Sequence, residues 1–143
     1  MPYKYREDLS IADAAIEVNT NSLEELFIDS AKALTNTMID NLNSIECNKK
    51  SEIKISAPNI EFLLFEFLER LIILKDSDTL LFNKYQLKIV QKNNETELIG
   101  QIYGEKIDYK KHELCADVKA VTFHKFRVEE INNKWEANFI LDI

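Results

Sequence analysis

The chain has 143 residues with a formal net charge of −7, 45% hydrophobic and 30% charged, which excludes a disordered tail, a fibrous repeat and a polycation built to coat nucleic acid. Its length suits a single domain spanning residues 1–143, able to bury roughly 70% of its unfolded surface, and two glycines and two prolines leave little for flexible linkers. The acidic balance fits a cation site or a basic protein partner and still allows local basic patches.

In chain order, IADAAIEV (11–18) alternates as a short strand, with Ala12, Ala14, Ile16 and Val18 on one face and Ile11, Asp13, Ala15 and Glu17 on the other. Ser22-Leu23-Glu24-Glu25 forms a capping box, in which the Ser22 hydroxyl meets an orphan amide and Glu25 reaches back. It opens a helix over 23–39 whose stripe is Leu23, Leu26, Phe27, Ala31, Leu34 and Met38. A strand over 51–57 turns Ile53 and Ile55 inward. Pro58 ends it, and Asn59 caps a helix over 60–75 that is apolar almost all round, with Phe62, Phe65 and Ile73 widening its main face. That helix is expected at the centre, packed on more than one side, and the polar KDSDT breaks it.

From residue 82 the pattern is all strand. FNKYQLKIVQ, an Asn93-Asn94 turn and TELIGQIYGEKI read as a hairpin; DYKKHELCA is a loop with room for one helical turn. DVKAVTFHKFRVEE, an INNK turn and WEANFILDI follow. Gly100 and Gly104 inside a strand mark a bend or a close backbone approach. The expected fold is α+β: two helices on mainly antiparallel sheets.

The polar N-terminus MPYKYREDLS is unlike a secretory leader, and Glu66, Glu69 and Arg70 interrupt the longest apolar run. A cytoplasmic protein without membrane contact is expected, with Cys47 and Cys115 as free thiols packed like small hydrophobes. His112 falls in a charged loop and reads as solvated; His124 reads as packing on a strand with Val118, Ala120 and Phe126. Neither has a partner at zinc-ligand spacing. No nucleophile motif or phosphate-cradling glycine loop occurs. In FHKFR, basic residues interleaved with aromatics leave RNA contact open, but alternating charge on a strand reads first as a solvated face.

The acids carry more. Asp13 and Asp142 each lie opposite the apolar row of their strand, one near each end of the chain. Should those strands be neighbours, the carboxylates converge and the main-chain carboxylate of Ile143 adds a third anion. Such a group suits a hard divalent cation; two acids solvated at a sheet edge are the plain alternative. Asp40, after the first helix, is a looser candidate and also an ordinary turn residue.

Read together, SIADAAIEV, NSLEELFIDSAKALTNTMID, NIEFLLFEFLERLIIL, YGEKIDYKKHELCADVKAVTFHKFRV and FILDI resemble the archease family, in order from about residue 5 to the last. The resemblance implies strand-helix-strand-strand modules. It also implies a protein cofactor, not an enzyme, that promotes guanylylation and multiple turnover of the RtcB-type RNA ligase of tRNA splicing and RNA repair. RNA is then met indirectly, through the ligase. On the resemblance Asp13 and Asp142 are metal-binding acids, Ile143 completes the shell, and Lys119 in Val118-Lys119-Ala120 matches a lysine implicated in activity. The implied cofactor is a divalent metal, calcium first, with magnesium or manganese as alternatives. The chain departs from the family at Ser10, where histidine is frequent. Two other functions stay open: a chaperone for nucleic-acid-modifying enzymes and a metal-dependent phosphoesterase.

Overall fold

The computed structural model describes residues 3–5 and 13–143. Its elements in chain order are β1 (Tyr3–Tyr5), β2 (Ala14–Thr20), α1 (Leu23–Met38), a 3-10 turn (Leu42–Ser44), β3 (Lys49–Ala57), α2 (Ile60–Asp78), β4 (Leu80–Lys92), β5 (Glu95–Lys106), β6 (Ala120–Ile131) and β7 (Lys134–Asp142). The fold is α+β, as expected: one sheet has the order β1-β2-β7-β6, the other β3-β5-β4, and every pairing is antiparallel. Strand β1 and the 3-10 turn are additions to the expected order.

Local chemistry sets the helix starts. Ser22 is the N-cap of α1 and its hydroxyl accepts from the Glu25 amide at 3.2 Å; Asn59 does the same for α2 with the Phe62 amide at 2.9 Å. Such caps contribute on the order of 1 kcal/mol each. Helix α2 packs on β6 on one side and on β3, β4 and β5 on the other, which explains its broad apolar surface. Phe67, fully buried, meets Phe27 at 5.8 Å and Tyr85 at 6.5 Å between ring centroids. Burying such a side chain is worth roughly 1.5–3 kcal/mol.

Several expectations are corrected. Strand β2 begins at Ala14, so Asp13 precedes it; Ser10, Ile11 and Ala12 lie outside the described residues. Helix α2 runs through the predicted polar break to Asp78 and stops only where Thr79 turns left-handed, φ 53°. Phe62 and Ile73, expected on its packed face, are exposed. His124 is exposed too: the β6–β7 register shifts between Thr122 and Arg127, Lys125 sits at φ 58°, and the alternation that put His124 beside Phe126 breaks there. Asn132 and Asn133, at φ 53° and 65°, then make the two-residue β6–β7 turn, where left-handed backbone matches the twist of the strands.

Gly104 and Gly100 let β4 close tightly on β5. A Cβ at Gly104 would run into the Leu81 carbonyl, and one at Gly100 into that of Gln86. Gly104→Ala is therefore expected to lower the unfolding free energy by about 2–3 kcal/mol, measured as a fall in the urea midpoint. Ser77→Ala, on exposed helix, is expected to change it by less than about 0.5 kcal/mol.

Candidate functional site

Strands β2 and β7 are neighbours, so two segments near opposite ends of the sequence share one ladder. Ala14 faces Leu141, which leaves Asp13 and Asp142 at the next positions along the two strands, at the same end of the sheet. Both acids are partly buried. On the other side of β7, Ala120 faces Asp142, and the Lys119 amide donates to the Asp142 carbonyl at 2.7 Å. Lys119 and Ile143 are both exposed. The four residues singled out from the sequence thus lie at one end of the β2-β7-β6 sheet. Asp40 does not join them through this ladder. Its amide donates to the Glu113 carbonyl at 3.3 Å and its carbonyl accepts from Asn36 Nδ2 at 3.1 Å, bonds of a turn that ties α1 to the segment before β6.

Two buried charged groups fix that segment, and the sequence reading missed both. Lys75, in the last turn of α2, is 7% exposed. Its ammonium donates to Asp117 Oδ1 at 2.5 Å and to the Val118 carbonyl at 2.7 Å, and pairs with Asp76 Oδ1 at 2.8 Å. Burial works against its charge, but Asp117 and Asp76 outweigh it and raise its pKa above the ordinary lysine value. Lys75 therefore holds the two residues ahead of Lys119. The signal was present: Leu68, Leu71, Ile72 and Lys75 continue one helical stripe, so a lysine there must be buried and paired.

The second group is Glu105 with His112, both almost fully buried. This corrects the expectation that His112 is solvated. The Asp108 amide donates to His112 Nδ1 at 2.9 Å, so Nδ1 is an acceptor and the proton sits on Nε2, which donates to Glu105 Oε2 at 2.9 Å. Lys111 Nζ lies 2.7 Å from the same carboxylate, and the Glu46 amide donates to it at 2.6 Å. Burial alone would raise the Glu105 pKa, but Lys111, the Glu46 amide and His112 together hold it down to about 2. The segment 107–119 is pinned further by Ile107 N–H to the Thr79 carbonyl at 2.7 Å and Cys115 N–H to that of Met38 at 2.8 Å. The loop therefore behaves as a fixed strap that delivers Lys119 to the carboxylate end of the sheet. Cys115 and Cys47 are free as expected, but exposed where burial was expected.

Among the described residues, no group of three or more His, Cys, Asp and Glu side chains is arranged to hold a metal ion. The carboxylate end offers two side-chain acids and backbone oxygens, a hard-oxygen donor set. That set suits calcium or magnesium, which accept carbonyls and waters beside carboxylates, and does not suit zinc. Among the described residues no helix is long and apolar enough to cross a membrane.

Two helices between and across two antiparallel sheets, with an acidic sheet end served by a pinned strap, define a small α+β protein built around the meeting of its first and last long strands. The sequence profile of the archease protein family matches residues 3–143. Protein archease of Pyrococcus furiosus is 37% identical over 133 residues, covering 92% of this chain and 93% of its own; that of Sulfolobus acidocaldarius is 37% identical over 132 residues with the same coverage. Among solved structures, protein 1598 of Methanobacterium thermoautotrophicum superposes with a TM-score of 0.85 at 30% identity, over 99% of both chains. An archease from Thermotoga maritima, described as a possible chaperone, shares the fold with a TM-score of 0.59 at 21% identity over 94% of this chain and 93% of its own. The chain belongs to the archease family.

The low pKa of Glu105 sets a pH dependence. Its folded value, about 2, lies below the ordinary 4.5, so its contribution to stability is complete above 4.5 and is lost as pH falls towards 2. The urea midpoint of the wild type is expected to fall through this window more steeply than that of Glu105→Gln. Parallel curves for the two proteins would contradict the assignment.

Proposed function

We propose that this protein activates an RtcB-type RNA ligase, promoting guanylylation of the ligase and its multiple turnover. The observation that carries the reading is the shared sheet end of Asp13, Asp142 and Lys119, combined with membership of the archease family. On this reading Asp13 and Asp142 hold a divalent cation, calcium first, with the main-chain carboxylate of Ile143 as a further oxygen donor. When bound, such an ion supplies positive charge that relieves the repulsion between the acids and polarises phosphoryl oxygens.

The chain's own residues then have distinct tasks. Asp13 and Asp142 supply hard oxygen ligands from two different strands, so the ladder between β2 and β7 sets their separation. Lys119, exposed beside Asp142, contacts the ligase or a phosphate at its active site. Lys75 and Glu105 act as positioning residues, because they fix the strap that ends at Lys119. The protein is a cofactor of the ligase and performs no group transfer itself.

One observation favours a second reading, a chaperone for nucleic-acid-modifying enzymes. Phe62 and Phe123 are both exposed and lie 5.0 Å apart between ring centroids, an aromatic patch that an unfolded client could use. Protection of unrelated clients from aggregation, abolished by Phe62→Ser with Phe123→Ser, would favour that reading.

The ligase reading is tested by multiple-turnover RNA joining with a cognate ligase. Asp13→Ala and Asp142→Ala, each verified as folded, are expected to reduce the stimulation by an order of magnitude or more, and calorimetric titration with calcium is expected to lose its binding heat in both. Full stimulation by both variants would refute the reading.

A further inference from the structure

The second sheet turns a basic face to solvent on an acidic protein. Its outward positions form rows across the three strands: Lys50, Tyr103 and Lys84 in one, and Lys54, Ile99 and Lys88 in another, with Glu52, Gln101 and Gln86 between them. All four lysines are exposed, and among the described residues none has a carboxylate within ion-pair distance. Strand spacing sets the two lysines of a row roughly 10 Å apart, and the two rows roughly 13 Å apart along the strands. Against them the face carries Glu52 and Glu97, and at the β4–β5 turn Glu95 opposite a fifth lysine, Lys92, although the whole chain has 25 acids and 18 bases.

Between the two lines of lysines runs β5, with contact groups of another kind. The Tyr103 hydroxyl lies 2.8 Å from Gln101 Oε1 and 3.1 Å from Gln86 Oε1; its one proton is shared between the two oxygens, and both amide NH₂ groups are left as donors. Lys84 Nζ sits 4.9 Å from the centre of the Tyr103 ring and steadies it. A shallow depression of about 690 Å³ lies alongside, lined by Lys54, Lys88, Gln86, Gln101 and Ile99 among others.

We propose that this face binds a single-stranded RNA segment laid along β5. The lysines on β3 and β4 would neutralise phosphates on either side, while Tyr103, Gln101 and Gln86 meet the bases. Ammonium rails around a strand that presents a ring and amide donors match the contacts single strands use. An acidic protein surface would use only the rails. The choice of RNA over DNA rests on the ligase reading; the contact itself does not require the ligase.

The test is binding of a fluorescent single-stranded RNA oligonucleotide to the isolated full chain as salt is raised. Each phosphate neutralised on a single strand contributes about −0.7 to the slope of log K against log salt. Four lysines predict a slope of about −2.8, an affinity loss of roughly 50-fold between about 50 and 200 mM salt. Lys54→Ala with Lys88→Ala is expected to bring the slope to about −1.4, while Lys134→Ala, at the β6–β7 turn, leaves it unchanged. Absence of binding at low salt, a slope indifferent to the double variant, or equal affinity for polyglutamate would overturn the proposal. Tighter binding of DNA of the same sequence would overturn the choice of RNA. Because no ligase is present, each of these results leaves the ligase reading standing, and failure of ligase stimulation removes the ground for RNA over DNA but leaves the single-strand contact standing.

Discussion

The pairing of β2 with β7 is the constraint on which the rest depends. It joins segments 115 to 127 residues apart, and seven consecutive residue pairs from Ala14↔Leu141 to Thr20↔Trp135 fix its register. Slipping that register by one residue would turn every side chain of a strand to the opposite face, moving Phe139 and Leu141 out of the core. The acidic end of the sheet is thus located by the same apolar packing that holds the domain together. Asp13 and Asp142 stay level because Ile16, Val18, Ala137, Phe139 and Leu141 cannot move.

A second layer of control comes from buried charge. Lys75 and Glu105 sit at the two ends of the strap between β5 and β6, and both are paired with several partners. A lone buried ion is costly, and breaking a buried pair leaves such an ion behind. These contacts therefore tie both ends of the strap to the rest of the fold. The strap in turn fixes where Lys119 meets β7. The stretch YGEKIDYKKHE has a physical meaning here: Glu105 and His112 are two halves of one buried contact, and Gly104 gives β4 access to β5.

Much of this was legible in the sequence. The capping residues Ser22 and Asn59, the two helices and the four final strands follow from local chemistry and period. The neighbouring of β2 and β7 was only a conditional expectation, because strand order is not encoded in alternation. The burial of His112 and Lys75 was not legible, because it is decided by partners from other elements: Asp117 for Lys75, Glu105 and the Glu46 amide around His112. The bulge in β6 was likewise hidden, since Lys125 at positive φ has no compositional signature. The basic face of the second sheet was hidden because Lys50, Lys54, Lys84 and Lys88 belong to different strands and only pairing through β5 lines them up.

The central position of β7 also governs how the molecule comes into being. A nascent chain can build α1, α2 and the β3-β5-β4 sheet while synthesis continues at about 5–20 residues per second. The other sheet has no middle until β7 emerges, and its closure joins distant segments, a slow kind of event. The acidic tip consequently forms only once β7 has emerged, and a polypeptide truncated before β7 presents an unzipped β2 edge in its place.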